Sequence, residues 1–241
     1  MNETTINSPA TAAPRRPGGF TVWPPRTAAL VAGVGLAIMA VLGGFASFAS
    51  FAAILSLIVP GDAGLTADRI AAAPALFWAG VVSFVIVAML DVLVAGALYA
   101  LFKPVSPRLS ALAGWLRTVY AVLLLVAVGQ LVNGFALLGD PGDPGAAQPV
   151  LESFTTIWVL SLGLFGASLI LVGYLAFRSG FMARVFGILL ALAGAGYLAD
   201  AIGMATIPGF TAVFAQFLFV GEVTLIFWLL IQGRRLPRAR A

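Results

Sequence analysis

The sequence predicts an all-α protein, a polytopic transmembrane bundle of six helices with both the N-terminus and the C-terminus in the cytoplasm. Three observations carry this. Of 241 residues, 61% are hydrophobic and 9% charged, whereas a soluble domain is nearer half apolar and about a quarter charged. Six apolar segments each reach the roughly 20 residues needed to cross about 30 Å of hydrocarbon. The basic residues then fall on one side of those six spans.

Residues 1–26 read as a disordered cytoplasmic tail, with Pro9, Pro14, Pro17, Pro24 and Pro25 and few apolar side chains. Arg15-Arg16 is no export signal, because Pro17-Gly18-Gly19 follows and the apolar run begins only after Arg26. That run is also far longer than the core of a cleaved signal peptide. Residues 27–233 form the six-helix transmembrane domain, and 234–241 a short basic cytoplasmic tail.

The expected spans are 28–50, 75–102, 112–139, 153–177, 184–206 and 211–232. They lack the strict alternation of a membrane β-barrel, so helices are the way their backbone groups are satisfied in lipid. The first run continues to Val59, about 48 Å if wholly helical. Gly43-Gly44 and the serines at 47, 50 and 56 predict a bend or a second short helix near the outer interface, ended by Pro60-Gly61-Asp62. Thr66 to Ala73 reads as a surface helix capped by Thr66 and stopped by Pro74.

Charge gives the direction. Arg15, Arg16, Arg26, Lys103, Arg108, Arg178, Arg184, Arg234, Arg235, Arg238 and Arg240 fall on one side of six spans. Arg69 is the base of the other side, with Asp62, Asp68, Asp140, Asp143 and Glu152. The basic side is therefore cytoplasmic. Trp115 and Trp228 fall near the inner interface and Trp78 and Trp158 near the outer, as an aromatic belt requires. The outer loops carry turn residues, including Gly139-Asp140-Pro141-Gly142-Asp143-Pro144-Gly145 and Pro208-Gly209. The Gly-Asp-Pro run has too few carboxylates for calcium.

The chain has no cysteine and no histidine. This removes disulfides, thiolate and imidazole chemistry, and histidine-held zinc, copper or haem. No metal site, cofactor or catalytic residue is expected. A nucleic-acid partner is not expected either, because the bases are scattered between apolar segments. The expected partner is the lipid bilayer, with a homo-oligomer open through small-residue helix faces.

Four ionisable residues lie inside the spans: Asp91, Arg117, Asp200 and Glu222. Such residues are costly in lipid and raise a functional question. Asp91 and Glu222 fall about 16 and about 15 Å from the inner ends of their spans, near the midplane. Arg117 can reach either acid or snorkel to lipid phosphates. Asp200, with Gln130 and Asn133, falls in the outer half. These six form a candidate buried polar network. It serves either as a structural tie between helices or as a pathway for proton-coupled transport.

Helix five carries Ala183, Gly187, Ala191, Ala195, Ala199 and Gly203, one small residue every fourth position. This row predicts a helix-packing ridge, with Asp200 bordering it. The enzyme classes find little support: there is no HExxH and no phosphate-cradling glycine loop. Lys103, the only lysine, sits between Phe102 and Pro104 as an interfacial anchor. An aspartate dyad of Asp91 and Asp200 would have to bridge about 8 Å of depth.

Several local sequences also resemble one family. Leu57-Ile58-Val59-Pro60-Gly61-Asp62-Ala63 follows span one, and Leu101-Phe102-Lys103-Pro104-Val105 closes span two, which contains Asp91. Tyr174-Leu175-Ala176-Phe177-Arg178-Ser179-Gly180-Phe181 leads into Arg184-Val185-Phe186-Gly187-Ile188-Leu189-Leu190 and Gly196-Tyr197-Leu198-Ala199-Asp200. From about Ala28 to Gly233 the chain resembles the bacterial integral-membrane family DUF4386, a domain of unknown function. The resemblance implies a multi-pass protein of the bacterial inner membrane and brings no activity to transfer. Helix one departs from it in being rich in glycine and alanine.

The expected function is structural or regulatory, with the polar residues holding the bundle together. The alternatives are a small-solute or proton-coupled transporter using Asp91 and Glu222, and a membrane-embedded enzyme of unknown class. A water-accessible cleft would favour transport, and sealed, paired acids the structural role.

Overall fold

The computed structural model describes residues 23–42, 51–139, 144–214 and 220–236, which are helical apart from short turns. The helices are α1 (Pro25–Ala40), α2 (Phe51–Leu57), α3 (Ala63–Ala72) and α4 (Pro74–Phe102). Then come α5 (Pro107–Leu138), α6 (Pro144–Arg178), α7 (Arg184–Thr206), α8 (Val220–Ile231) and a 3-10 turn, Gly233–Arg235. Proline stands at the first position of α1, α4, α5 and α6, where its missing N–H would have had no intrahelical partner.

Four helices, α4 to α7, are long and apolar enough to cross a membrane, and α1 is a shorter apolar helix. Packing follows a closed sequence of neighbours. α1 lies on α4, α4 on α5, α5 on α6, α6 on α7, α7 on α8, and α8 returns to α1. α2 and α3 sit at one end, against α4 and α6. The outward faces are apolar: Val82, Met89 and Val92 of α4 and Val122 and Val126 of α5 are exposed, as lipid contact requires.

The two ends differ in charge. Phe102, closing α4, stacks on Phe181 of the α6–α7 turn at 5.9 Å, and Phe181 packs on Trp228 near the end of α8 at 5.7 Å. The basic residues that flank these helix ends therefore gather at one end. At the other, Glu152 of α6 accepts the Gly61 amide at 2.7 Å, and Gln148 donates to the Val59 carbonyl at 2.7 Å. Both tie the α2–α3 turn to the bundle. Gly61 has φ +76°, a left-handed conformation that glycine enters without the Cβ penalty.

Several boundaries differ from the expected ones. α5 begins at Pro107 rather than 112, and α6 at Pro144 rather than 153. Composition hid the extra turns, because their residues are small or polar. α6 is consequently 35 residues long, about 52 Å, and outreaches the hydrocarbon. Pro149 lies in its second turn, early enough to cost a single backbone bond.

α3 is capped by Asp62, whose Oδ1 accepts the Leu65 amide at 2.9 Å, and not by Thr66. Thr66 Oγ1 is engaged elsewhere, accepting the Val59 amide at 2.9 Å. Trp115 and Trp78 are exposed as a belt requires, whereas Trp228 is buried and Trp158 packs against Phe84 and Phe154. The Gly43-Gly44 bend, Ser47, Ser50, the Asp140–Asp143 turn, residues 1–22 and 237–241, and 215–219 of the last expected span lie outside the described residues.

Candidate functional site: a sealed charge pair and its aromatic bridge

Asp91 occupies the middle of α4 and Arg117 stands ten residues into α5. At 1.5 Å per residue both lie about 15–16 Å from the basic end, so two adjacent antiparallel helices bring them to one level. Arg117 Nη2 meets Asp91 Oδ1 at 2.7 Å, and each side chain is 1% exposed. The contact is an ion pair without the alignment of a hydrogen bond. Asp91 Oδ2 and Arg117 Nε and Nη1 have no hydrogen-bond partner among the described residues.

The guanidinium also lies over the Phe165 ring of α6, 4.7 Å from its centroid. A desolvated cation on an aromatic face gains about 2 kcal/mol, which offsets part of what the missing hydrogen bonds leave. Phe165 is the hub of a second set of contacts. Tyr120, one turn beyond Arg117 on α5, meets it at 5.1 Å, and Tyr197 of α7 meets it edge-on at 5.2 Å. Tyr197 then donates from its hydroxyl to Glu222 Oε1 of α8 at 2.8 Å. Asp91, Arg117, Phe165, Tyr197 and Glu222 thus link α4 through α8 in an unbroken series of contacts.

Toward the basic end a void of about 10 Å³ adjoins Arg117, lined among others by Tyr99, Phe102, Ser110 and Ser168. That is room for about one water. Ser110 donates to the Tyr99 carbonyl at 3.1 Å and Ser168 to the Ala113 carbonyl at 2.9 Å, tying α5 to α4 and α6 to α5. Phe102, which lines the void, stacks on Phe181.

The six expected network residues do not form one group. Asp91 and Arg117 pair, and Glu222 joins them only through Tyr197 and Phe165. Asp200 faces away, accepting the backbone amides of Val213 and Phe214 at 2.9 and 3.0 Å. There it fastens the segment that follows α7. Gln130 is half-buried and Asn133 exposed, and neither bonds to the pair. Arg117 does not snorkel. Phe165, Tyr120 and Tyr197 were missed, although the chain has only four tyrosines and two sit at one-turn spacing from intramembrane charges.

The α7 ridge also runs differently. Gly187 and Gly203 are buried and Ala191 half-buried, but Ala183, Ala195 and Ala199 are exposed. A four-residue step overshoots a helical turn by about 40°, so a row of six winds off any one face. Gly187 and Ala191 of the row both approach Gly173 of α6, and beyond them the close approach follows a seven-residue step. Gly187 meets Gly173 of α6 backbone to backbone, Gly194 meets Gly166, and Ala201 meets Gly163. A Cβ on Gly173 would stand 2.6 Å from the Gly187 carbonyl oxygen. Seven residues miss two turns by only about 20°.

No group of three or more carboxylates that could hold a metal ion occurs among the described residues. A bundle with lipid-facing apolar surfaces, four long apolar helices and an interior ion pair defines a multi-pass integral membrane protein. Residues 31–233 match the family described as domain of unknown function (DUF4386), and the chain belongs to that family. It is also similar to an uncharacterized protein of Archaeoglobus fulgidus, 33% identical over 156 residues, covering 65% of this chain and 85% of the relative. That relative is archaeal, whereas the resemblance read in the sequence implied a bacterial setting. No solved structure matches.

Proposed function

We propose that this protein is a structural or regulatory multi-pass membrane protein, not an enzyme, whose interior charges lock the order and register of a six-helix bundle. The observation that carries the reading is the sealing of Asp91 and Arg117 against each other, each 1% exposed, beside a void with room for about one water. A carrier needs its charged site to reach water on each side in turn. A sealed pair instead penalises every helix arrangement that would separate it, because an unpartnered buried charge costs about 3–5 kcal/mol.

The packing of α1 and α8 into the ring supports their being the first and sixth spans. The basic end is then cytoplasmic by the positive-inside rule, and the setting a bacterial cell membrane. Exposed Ala195 and Ala199 leave a flat face of α7 open to a second copy.

A proton-coupled carrier is the second reading. It is favoured by the unpartnered Asp91 Oδ2 and Arg117 Nη1 and by the half-buried Glu222 at the far end of the aromatic bridge. Purified Asp91→Asn and wild-type protein in proteoliposomes separate the two. The structural reading expects no pH-driven proton flux from either protein and a lower yield of the variant. A wild-type flux abolished by a well-folded Asp91→Asn would sink it.

A further inference from the structure

We infer that the open pocket at the basic end, between the α6–α7 turn and the end of α8, binds an anionic phospholipid, with its phosphate on Arg235 and its acyl chain against Phe186, Trp228 and Leu236. The pocket has a volume of about 360 Å³ and is lined by Phe181, Ala183, Phe186, Trp228, Gln232, Arg235 and Leu236. Its chemistry is divided. Its lining combines three aromatic rings and a leucine with an exposed guanidinium and an exposed primary amide. An amphiphile with an anionic head matches both halves, and neither a free anion nor an apolar peptide does.

Charge balance points the same way. Lys103, Arg178, Arg184, Arg234 and Arg235 stand at this end, and no carboxylate lies there among the described residues. Lys103, Arg178 and Arg184 lie over Tyr99, Tyr174 and Phe177 at 5.7, 6.0 and 5.3 Å. Arg235 has no ion-pair or aromatic partner among the described residues. It is exposed at the basic end of a membrane bundle, where lipid phosphate is an abundant counter-charge. Arginine holds phosphate through two parallel N–H bonds, and Gln232 adds a further donor.

Trp228 makes the site part of the fold. It is buried beneath the pocket and packs on Phe181, which stacks on Phe102 at the end of α4. A lipid seated here would brace the junction of α4, α7 and α8. The inference is independent of whether the interior ion pair is structural or carries protons.

The test uses the full chain, purified in a mild detergent and stripped of lipid. Phosphatidylglycerol, phosphatidylcholine and sn-glycerol 3-phosphate are titrated separately, with retained lipid read by native mass spectrometry and unfolding temperature alongside. Phosphatidylglycerol is expected to bind and raise the unfolding temperature, and the other two to do neither at equal concentration. Arg235→Gln should weaken phosphatidylglycerol binding about tenfold, as loss of a charged hydrogen bond of about 1.5 kcal/mol predicts. Arg235→Lys, which keeps the charge but not the paired N–H bonds, should bind between the wild type and Arg235→Gln, and Arg108→Gln, at the same end but outside the pocket, should keep all of the binding. Equal binding of phosphatidylcholine, equal binding of glycerol phosphate, or equal losses in Arg235→Gln and Arg108→Gln would each overturn the assignment. The unfolding temperature of lipid-free Arg235→Gln should equal that of the wild type, because the side chain is exposed; a lower value assigns it to the fold and overturns the site.

Discussion

Tyr197 donates a 2.8 Å hydrogen bond to Glu222, the polar side-chain tie from α8 to another helix among the described residues. α8 otherwise packs through apolar contacts and the approach of Gly221 to the α7 backbone at Leu189. The bond places the carboxylate beside the same ring system that carries the Arg117 guanidinium.

Tyr197→Phe should therefore destabilise the protein by about 1–3 kcal/mol, because it leaves the Glu222 carboxylate without its donor. Glu222→Gln keeps an acceptor for the hydroxyl and should cost less. Unfolding in detergent measured for both variants checks the order. A larger loss for Glu222→Gln would mean that the carboxylate's charge, and not its hydrogen bond, holds α8.

At the α6–α7 contact, Gly187→Ala should destabilise by several kcal/mol, because the added carbon meets Gly173 and Phe177 backbone atoms that cannot give way. Ala199→Leu, on the exposed face of the same helix, should leave monomer stability unchanged within about 0.5 kcal/mol. Detergent unfolding of the two variants tests the seven-residue register against the four-residue row.

Much of this fold was readable because lipid imposes it: an apolar run of some 20 residues has few alternatives to a helix. Boundaries were read less well. Pro107, Pro144 and Gln148 lie in helices that project past the apolar runs, where hydropathy carries no signal. The charges at 91, 117, 200 and 222 were visible as exceptions, but their partners depend on helix adjacency and rotation. Arg117 found Asp91 because α4 and α5 are neighbours, and Asp200 found backbone amides just past its own helix. Phe165 was not legible at all, since one phenylalanine among 18 announces no special contact.

The chain lacks cysteine, so each introduced thiol reports alone. In intact cells a membrane-impermeant maleimide should label Asp68→Cys on α3 and spare Arg108→Cys at the start of α5 until the membrane is permeabilised. The reverse pattern would invert the proposed orientation, and labelling of both would contradict a span between them.

Glu152 holds the Gly61 amide and the Gln148 side chain. Glu152→Ala should loosen the α2–α3 turn without unfolding the bundle. Hydrogen exchange of residues 59–66 should speed up by about tenfold or more, matching loss of a charged hydrogen bond of about 1.5 kcal/mol, while exchange in α5 stays as in the wild type.

The central claim is that Asp91 and Arg117 stabilise the bundle as a pair. A double-mutant cycle of Asp91→Asn, Arg117→Gln and the combined variant, read by reversible unfolding in detergent, measures that coupling most directly. Each single change should cost about 3–5 kcal/mol by stranding a buried charge, and the combined change clearly less than their sum. Additive losses, or single variants as stable as the wild type, would contradict the claim.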